Sequence, residues 1–534
     1  MSLALASALL FILSFPSFNQ PWCAWVGLVP WLLLLRRVTS ARAAFGWSWL
    51  IGFLFSLGSG WWLIHVTVVG WILICAYSAI FFGAFGLFAS YCFRHQTSDI
   101  RHQKNQKRCL AQIWCPVSGV RCLIVVPAGW AALEYLRSHL LSGWGWNLLG
   151  YSQTPWVRLI QFADLTGVWG VSFVVVLINV AFVRIITRRE QLQVRPAIIV
   201  AAVFAALLAY GEARLSLLKQ SPSIRVAVVQ GNIPQEQKWD EAFQQMIVSR
   251  YETLTEQTAQ TTPDLIIWPE TSVPGYLGGD EDITQRVLQL AKRVQRPLLV
   301  GAPVVMKDAH GLTLRNSAVL INAKGEFADR YDKVHLVPFG EFIPGERALP
   351  WLRNVLPPIG DFVPGQRYTV FTAPVPRSGF RVPGSNSGLG TRDSELKFSA
   401  LICFEDIFPA LARRFVNEGA RMLVVITNDA WFGPTAAAYQ HAQASTFRAV
   451  ELRVPVVRAA NTGWSGCIDA AGRWIGSVHD AQGRELFVAG THTCDVLPGA
   501  ADSLYRRFCD WFALVCLLLT VSAIIKIYGQ RRSS

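Results

Sequence analysis

The sequence predicts two structures in one chain: a polytopic α-helical membrane domain of about eight transmembrane helices, and an α/β domain of sheets covered by helices. Three observations lead there. Over 534 residues, 52% are hydrophobic and only 16% are charged, with a mean hydropathy of +0.33; soluble domains carry about 25% charged residues. The apolar residues gather in uncharged stretches near the ~20 residues needed to cross a bilayer. Between residues 222 and 497 the pattern changes to short β-branched runs separated by longer helix-like pieces. With 21 Trp and 31 Phe, disorder, collagen and a small disulfide scaffold are excluded.

Taken in order, residues 1–35 hold two short apolar pieces split by Phe15-Pro16 and Asn19-Gln20-Pro21, which read as a helical hairpin. A cleaved signal peptide is the weaker reading, because no Lys or Arg precedes the apolar run and further spans follow. Longer stretches cover 44–64, 70–93, 122–136, 165–183, 196–211 and 508–525. The expected organisation is therefore seven transmembrane helices in 1–215, an outer α/β domain in 222–497, and a last helix with its tail from 506 to 528.

The net charge of +14 has an address. Residues 36–42, 94–121, 184–195 and the tail from 526 carry sixteen Lys and Arg against two acidic residues, which is the whole excess. Pairs of spans separate these segments, so they share one side, and the positive-inside rule makes that side cytoplasmic. The short alternate connections, such as His65–Gly70, are almost uncharged and face out. The 222–497 domain then lies on the opposite, periplasmic face. Elsewhere the chain has 33 basic and 33 acidic residues, so no basic surface is left over for nucleic acid.

In the outer domain, Ile224–Gln230, Leu265–Glu270, Pro297–Gly301, Ser317–Ile321, Phe398–Cys403 and Met422–Thr427 read as buried strands. Glu241–Gln260 and Ile283–Val294 read as helices covering them. Residues 374–395, rich in Pro, Gly and Ser, read as a long surface loop.

Eight of the 11 Cys lie in or beside the spans, where Cys acts as a small hydrophobe. The outer domain holds Cys403, Cys467 and Cys494. An odd number in an oxidising compartment leaves one thiol, and Cys403 is the candidate: it follows a strand and precedes a helix-like run at 408–417, a place that lowers a thiol pKa and offers N–H groups to an oxyanion. The sequence does not establish whether Cys467 and Cys494 pair. His335 and His441 come without an orienting group, so no Cys-His pair stands out. Glu270 closes a strand at Trp268-Pro-Glu, where Pro269 ends the ladder. Lys333 sits among apolar residues in Tyr331-Asp-Lys-Val-His-Leu-Val-Pro-Phe-Gly-Glu. Taken singly, each has an ordinary reading: a buried Cys, a cap or surface Glu, a salt-bridged Lys.

Together they have another. Trp-Pro-Glu, then Asp-Lys-x-His-Leu-Val-Pro-Phe-Gly-Glu, then Cys-Phe-Glu resembles the Glu-Lys-Cys triad of the nitrilase, or carbon-nitrogen hydrolase, superfamily, and implies its αββα sandwich. With the spans, nearly the whole chain resembles the apolipoprotein N-acyltransferase family. Gln230-Gly-Asn-Ile-Pro-Gln with Trp239, Asn428-Asp-Ala-Trp-Phe-Gly, Arg448-Ala-Val-Glu, Arg458-Ala-Ala-Asn-Thr-Gly and Gly150-Tyr-Ser-Gln add to that likeness.

The resemblance implies that Glu270 is the general base for Cys403, and that Lys333 holds the oxyanion with the backbone N–H of Phe404. Glu341 and Glu405 are supporting residues, and Trp239, Trp431 and Phe432 line or guard the acyl pocket. It implies a phospholipid acyl donor, phosphatidylethanolamine in the family, and diacylglyceryl apolipoproteins as acceptors, in the lipid bilayer of the bacterial inner membrane, with no cofactor and no metal. One departure is Phe404, where the family often has Tyr; another is the length of 374–395. Glu134 and Arg137, at helical spacing near the outer end of a span, read as an ion pair. The rival readings are a membrane-tethered amidase hydrolysing a small amide, and a transporter with an accessory domain. The latter predicts ionisable residues along the spans, where Glu134 is nearly alone.

Overall fold

The computed structural model describes residues 1–103, 117–187, 194–217, 223–308, 311–343, 345, 361–374, 395–499 and 502–532. The chain divides into two compact units. One comprises Met1–Leu217, Thr435–Gln443 and Arg507–Ser534; the other comprises Leu218–Pro434 and Ala444–Arg506.

In the first unit each apolar stretch of the sequence lies on a helix. Ser2–Leu13 and Ala24–Arg37 form the N-terminal pair, followed by Ala41–Ser59, Val68–Gln103, Val117–Arg137, Val168–Thr187, Val194–Ser216 and Trp511–Arg532. Among the described residues, Val68–Phe93, Val168–Thr187 and Pro196–Ser216 are long and apolar enough to cross a membrane, and Ser2–Leu13 and Trp511–Ile527 are shorter apolar helices. These helices make the chain a membrane protein; they do not by themselves set the number of crossings at eight.

Aromatic packing and buried amides join the helices. Trp31 lies between Phe82, at a ring-centroid distance of 5.7 Å, and Phe85, at 5.1 Å, and its indole donates to Ser48 Oγ at 2.9 Å. The Asn179 carboxamide accepts from Leu28 N at 2.9 Å and donates to Ala24 O at 2.9 Å, bonding one helix to the backbone of another. Gln440 fills all four hydrogen-bonding positions of its amide. It accepts from the indoles of Trp62 and Trp146, at 3.0 and 2.9 Å, and donates to Pro16 O and Ser59 O, at 3.0 and 2.9 Å.

Glu134 and Arg137 depart from expectation. Both are buried, but no ion pair joins them among the described residues. Glu134 Oε1 accepts from Leu149 N at 2.7 Å, and Arg137 donates to Trp146 O at 2.9 Å. Their shared helical face aims both at the connection that follows, whose unpaired main-chain groups need partners in an apolar setting.

The second unit contains two six-stranded sheets. The strands are β1 (Ile224–Gln230), β2 (Leu265–Ile267), β3 (Leu298–Asp308), β4 (Gly311–Ile321), β5 (Phe327–Asp332), β6 (Phe371–Pro374), β7 (Glu395–Ile402), β8 (Met422–Thr427), β9 (Val456–Ala460), β10 (Gly466–Ile468), β11 (Trp474–Ser477) and β12 (Gly490–Val496). Their orders, β12-β1-β2-β3-β4-β5 and β11-β10-β9-β8-β7-β6, put parallel strands in the middle of each sheet and antiparallel ones outside. Central parallel strands are covered on both faces, so they are continuous apolar runs; every residue of β8 is buried.

Helices Gln244–Ala259 and Glu281–Val294 cover the first sheet, with Ile247, Val248, Tyr251, Val287 and Leu290 packed on Ala227, Ile266 and Val300. The six strands read from sequence are all present. β5, β6 and β9–β12 are additions: most are short or carry exposed residues, while β9 is a buried strand parallel to β8 whose apolar run is broken by Arg458. The long loop expected at 374–395 falls, over residues 375–394, outside the described residues.

Cys467 on β10 and Cys494 on β12 form a disulfide with Cα atoms 6.7 Å apart and a sequence separation of 27. The bond ties the two sheets, and closing a loop of that length removes about 3.5 kcal/mol of freedom from the unfolded chain. Cys403 is left as a thiol.

Candidate active site

The ends of three strands supply the chemistry of this unit, as expected where parallel strands release their chain at the carboxyl edge. β2 leads through Trp268 and Pro269 to Glu270, which is buried. β5 delivers Lys333, 1% exposed, whose amide donates to Asn316 O of β4 at 2.8 Å. β7 ends at Cys403.

Cys403 has φ 55°, in the left-handed region that a non-glycine residue rarely adopts. The chain turns there into a 3-10 segment, Cys403–Ile407, before the α-helix Pro409–Asn417. The helix-like run expected at 408–417 is the α-helix Pro409–Asn417, and Pro409 fits the first helical position because its missing N–H has no partner there anyway.

The carboxylate of Glu270 is surrounded by donors. Its Oε1 accepts from Asn316 Nδ2 at 2.8 Å and lies 3.4 Å from Lys333 Nζ; its Oε2 accepts from the main-chain N–H of Asn428, just past β8, at 2.9 Å. Glu341 completes the group. Its Oε1 accepts from Asn316 Nδ2 at 2.8 Å, and Lys333 Nζ lies 2.9 Å from its Oε2. One buried cation thus bridges two carboxylates, with one asparagine amide holding both.

Burial by itself would pull the Lys333 ammonium down, but Glu341 and Glu270 outweigh it and hold its pKa above the usual lysine value. The Cys403 thiol goes the opposite way to the sequence expectation. Burial, and then the negative charge of Glu270, push its pKa up, against the pull of Lys333. In the resting site the proton therefore stays on sulfur until a base removes it.

Glu405 is a brace. Its Oε1 accepts from Tyr331 Oη (2.8 Å), Val334 N (2.8 Å) and His335 N (3.0 Å), and its Oε2 from Ile402 N (2.8 Å). It therefore locks the Lys333 turn to the strand end that presents Cys403. Burial pushes its pKa up to about 7, while the hydrogen bonds to its oxygens oppose that shift. Phe404 and Phe408 pack with the His335 ring, at 6.0 and 3.8 Å, so His335 has an aromatic setting. His441 belongs to the helical unit, its ring 5.4 Å from that of Trp146.

Trp239 and Trp431 are 52% and 51% exposed, and Phe432 is half-buried. Trp239 follows Lys238, and Trp431 and Phe432 follow Asn428, so the chain carries all three close to contacts of Glu270.

Three contributors were missed from sequence: Asn316, the Asn428 main-chain N–H, and Lys238, whose Nζ donates to Glu270 O at 3.0 Å. Asn316 had a signal, a polar residue on the same strand face as Ala318 and Leu320. Asn428 was legible only as the first residue of the Asn428-Asp-Ala-Trp-Phe-Gly motif and Lys238 had no signal, since only the folded chain brings them to Glu270.

Gly301 of β3 lets this backbone pack. A Cβ there would overlap the Pro269 carbonyl oxygen and lie 2.6 Å from Glu270 Cα. Gly301→Ala is expected to cost about 1–3 kcal/mol of stability and, by displacing Glu270, about 10²-fold in the reaction of Cys403. Chemical denaturation alongside alkylation of Cys403 by iodoacetamide checks it, and unchanged values in both would show that the loop absorbs the methyl group.

Comparison with known proteins agrees with both units. The Apolipoprotein N-acyltransferase N-terminal domain family matches residues 7–181, and the Carbon-nitrogen hydrolase family matches residues 225–492. An apolipoprotein N-acyltransferase of Geobacter metallireducens is 35% identical over 100% of this chain and 95% of that protein; one of Chlorobaculum tepidum is 31% identical over 99% and 97%. Among solved structures, an amidase from Nesterenkonia sp. covers 56% of this chain and 95% of its own, at 17% identity and a TM-score of 0.34. The full-length matches at these identities show that the chain belongs to the apolipoprotein N-acyltransferase family, with a carbon-nitrogen hydrolase domain as its α/β unit.

Proposed function

We propose that the protein moves an acyl chain from a phospholipid, through a thioester on Cys403, to the α-amino group of the N-terminal diacylglyceryl-Cys of apolipoproteins. The observation that carries this reading is the donor-ringed Glu270 carboxylate, held 3.4 Å from Lys333, whose charge reaches a protonated thiol on a left-handed elbow.

The steps follow from those atoms. Glu270 takes the proton from the Cys403 thiol, and the sulfur attacks the ester carbonyl carbon of the donor. Lys333, with the backbone N–H of Phe404, stabilises the oxyanion, usually the largest single contribution to such catalysis. The C–O bond breaks, the lysophospholipid leaves with the proton from Glu270, and the thioester remains. The amine nitrogen of the apolipoprotein then attacks the thioester and loses a proton to Glu270, the C–S bond breaks, the sulfur takes that proton from Glu270, and an amide and the resting thiol result. Thioester to amide is downhill, so the chemistry calls for no ATP and no metal.

Glu341 and Asn316 keep Glu270 and Lys333 in register, and Glu405 fixes the elbow. Trp239, Trp431 and Phe432 are assigned to the acyl chain and the mouth of the site; the exposure of the two indoles, each about half, supports this. We place the eight helices of 1–215 and 506–528 across the inner membrane of a bacterium, with the charged loops in the cytoplasm and 222–497 in the periplasm. The charge map and the disulfide support that orientation. The donor is assigned as phosphatidylethanolamine.

The test is direct. Purified protein incubated with phosphatidylethanolamine is expected to carry one acyl group on Cys403 by mass spectrometry, and a diacylglyceryl peptide is expected to discharge it as an amide. A Cys403 that stays unmodified would sink the acyltransferase reading, and discharge to water in preference to the amine would favour an amidase-like hydrolase.

A further inference from the structure

Lys238 is an unusual lysine. It is 3% exposed, and among the described residues its one side-chain hydrogen bond is to the main-chain oxygen of Glu270, at 3.0 Å. No carboxylate pairs with it among the described residues. An ammonium has three donors, and a buried, unpaired one loses its hydration without recompense. The charges that reach it are Glu270, after β2, and Cys403, after β7. On its own segment Glu236 is exposed and Asp240 accepts from Ala242 N at 2.9 Å, while Lys333, itself paired with Glu341, meets Glu270 on its Oε1 side.

We propose that Lys238 is a positioning residue for the acyl transfer: its nitrogen holds the main chain that carries Glu270 and, when protonated, sets a second positive charge beside the Glu270 carboxylate and the Cys403 thiol. The proposal rests on Cys403 being the nucleophile. Lys333 is a poor candidate for a titrating charge, because two carboxylates hold its proton. Lys238 has none at bonding distance. Desolvation pushes it down to about 7, with Glu270 and Cys403 opposing, so its charge turns over near neutral pH. Below that pH it favours the thiolate that forms when Glu270 takes the sulfur's proton; above it, only the neutral amine's hydrogen bond remains.

The test uses the full-length protein and the rate of Cys403 alkylation by iodoacetamide from pH 5.5 to 9, with acylation by labelled phosphatidylethanolamine in parallel. Lys238→Met is expected to slow alkylation about tenfold at the acid end, the size of one pKa unit of charge interaction, with the gap closing as pH passes 7. Lys238→Gln keeps an N–H for Glu270 O without the charge and is expected to show the same pH-dependent gap. Lys238→Arg stays charged throughout and is expected to restore the rate at the acid end. Wild-type profiles in both the Met and Gln variants, or a deficit equal at every pH, would overturn the proposal. Failure of the wild-type protein to form a thioester would instead overturn the acyltransferase reading, since the alkylation profile reads Lys238 without any lipid.

Discussion

Glu270→Gln is expected to abolish thioester formation at Cys403, by about 10³-fold, within the range for loss of a positioned general base. The exchange keeps size and removes two things at once. A carboxylate offers only acceptors, and every neighbour of this one is a donor: Asn316 Nδ2 and Lys333 Nζ on one oxygen, Asn428 N on the other. An amide has a single oxygen, so its NH₂ must face one of those donors in either orientation. The variant therefore loses the proton acceptor for a thiol whose pKa is raised, and it loses the geometry as well. Mass spectrometry after incubation with phosphatidylethanolamine measures it, and a wild-type thioester yield would remove Glu270 from its role.

Lys333→Ala is expected to hurt both folding and reaction. The ammonium is 1% exposed and lies within 3.4 Å of Glu270 and 2.9 Å of Glu341. Without it, two carboxylates face each other across the Asn316 amide alone, and like charges so placed drive one of them to take up a proton. Removing one partner of a buried ion pair costs about 3–5 kcal/mol, seen as a lower midpoint in urea. Loss of the charge aimed at the oxyanion costs a further 10²–10³-fold or so in acylation. Because the fold is also strained, the decisive comparison is the ratio of acylation to alkylation of Cys403. Alkylation needs the thiolate but no oxyanion stabilisation, so acylation should fall much further; an equal fall in both would refute an oxyanion role for Lys333.

Much of this site was legible in the residues. Glu270, Lys333 and Cys403 each follow a strand, and a strand end is recognisable because β-branched apolar runs stop at it. Glu341 was legible only through its place in the Lys333 motif. The helices of the first unit were readable for the same reason as the strands: long uncharged stretches have few structures open to them. The Glu134–Arg137 pairing failed because spacing along a helix tells which face two side chains share, not which backbone groups lie opposite. The thiol expectation failed similarly. A helix start would lower its pKa, but burial and a nearby carboxylate raise it, and neither burial nor proximity is a local property.

The sequence by itself determined the two-part architecture, the position of the charge, most of the central strands and the candidates Glu270, Lys333 and Cys403 at strand ends, because these depend on composition, periodicity and order along the chain. Only the tertiary structure decided which atoms meet. It set Asn316 between two carboxylates, turned Glu405 into a brace, joined Cys467 to Cys494 across the sheets, and brought Lys238 from a loop more than thirty residues away to the carbonyl of Glu270. Hydrogen bonds and buried charges act over a few ångströms, and distance in space between residues far apart in sequence is created by folding.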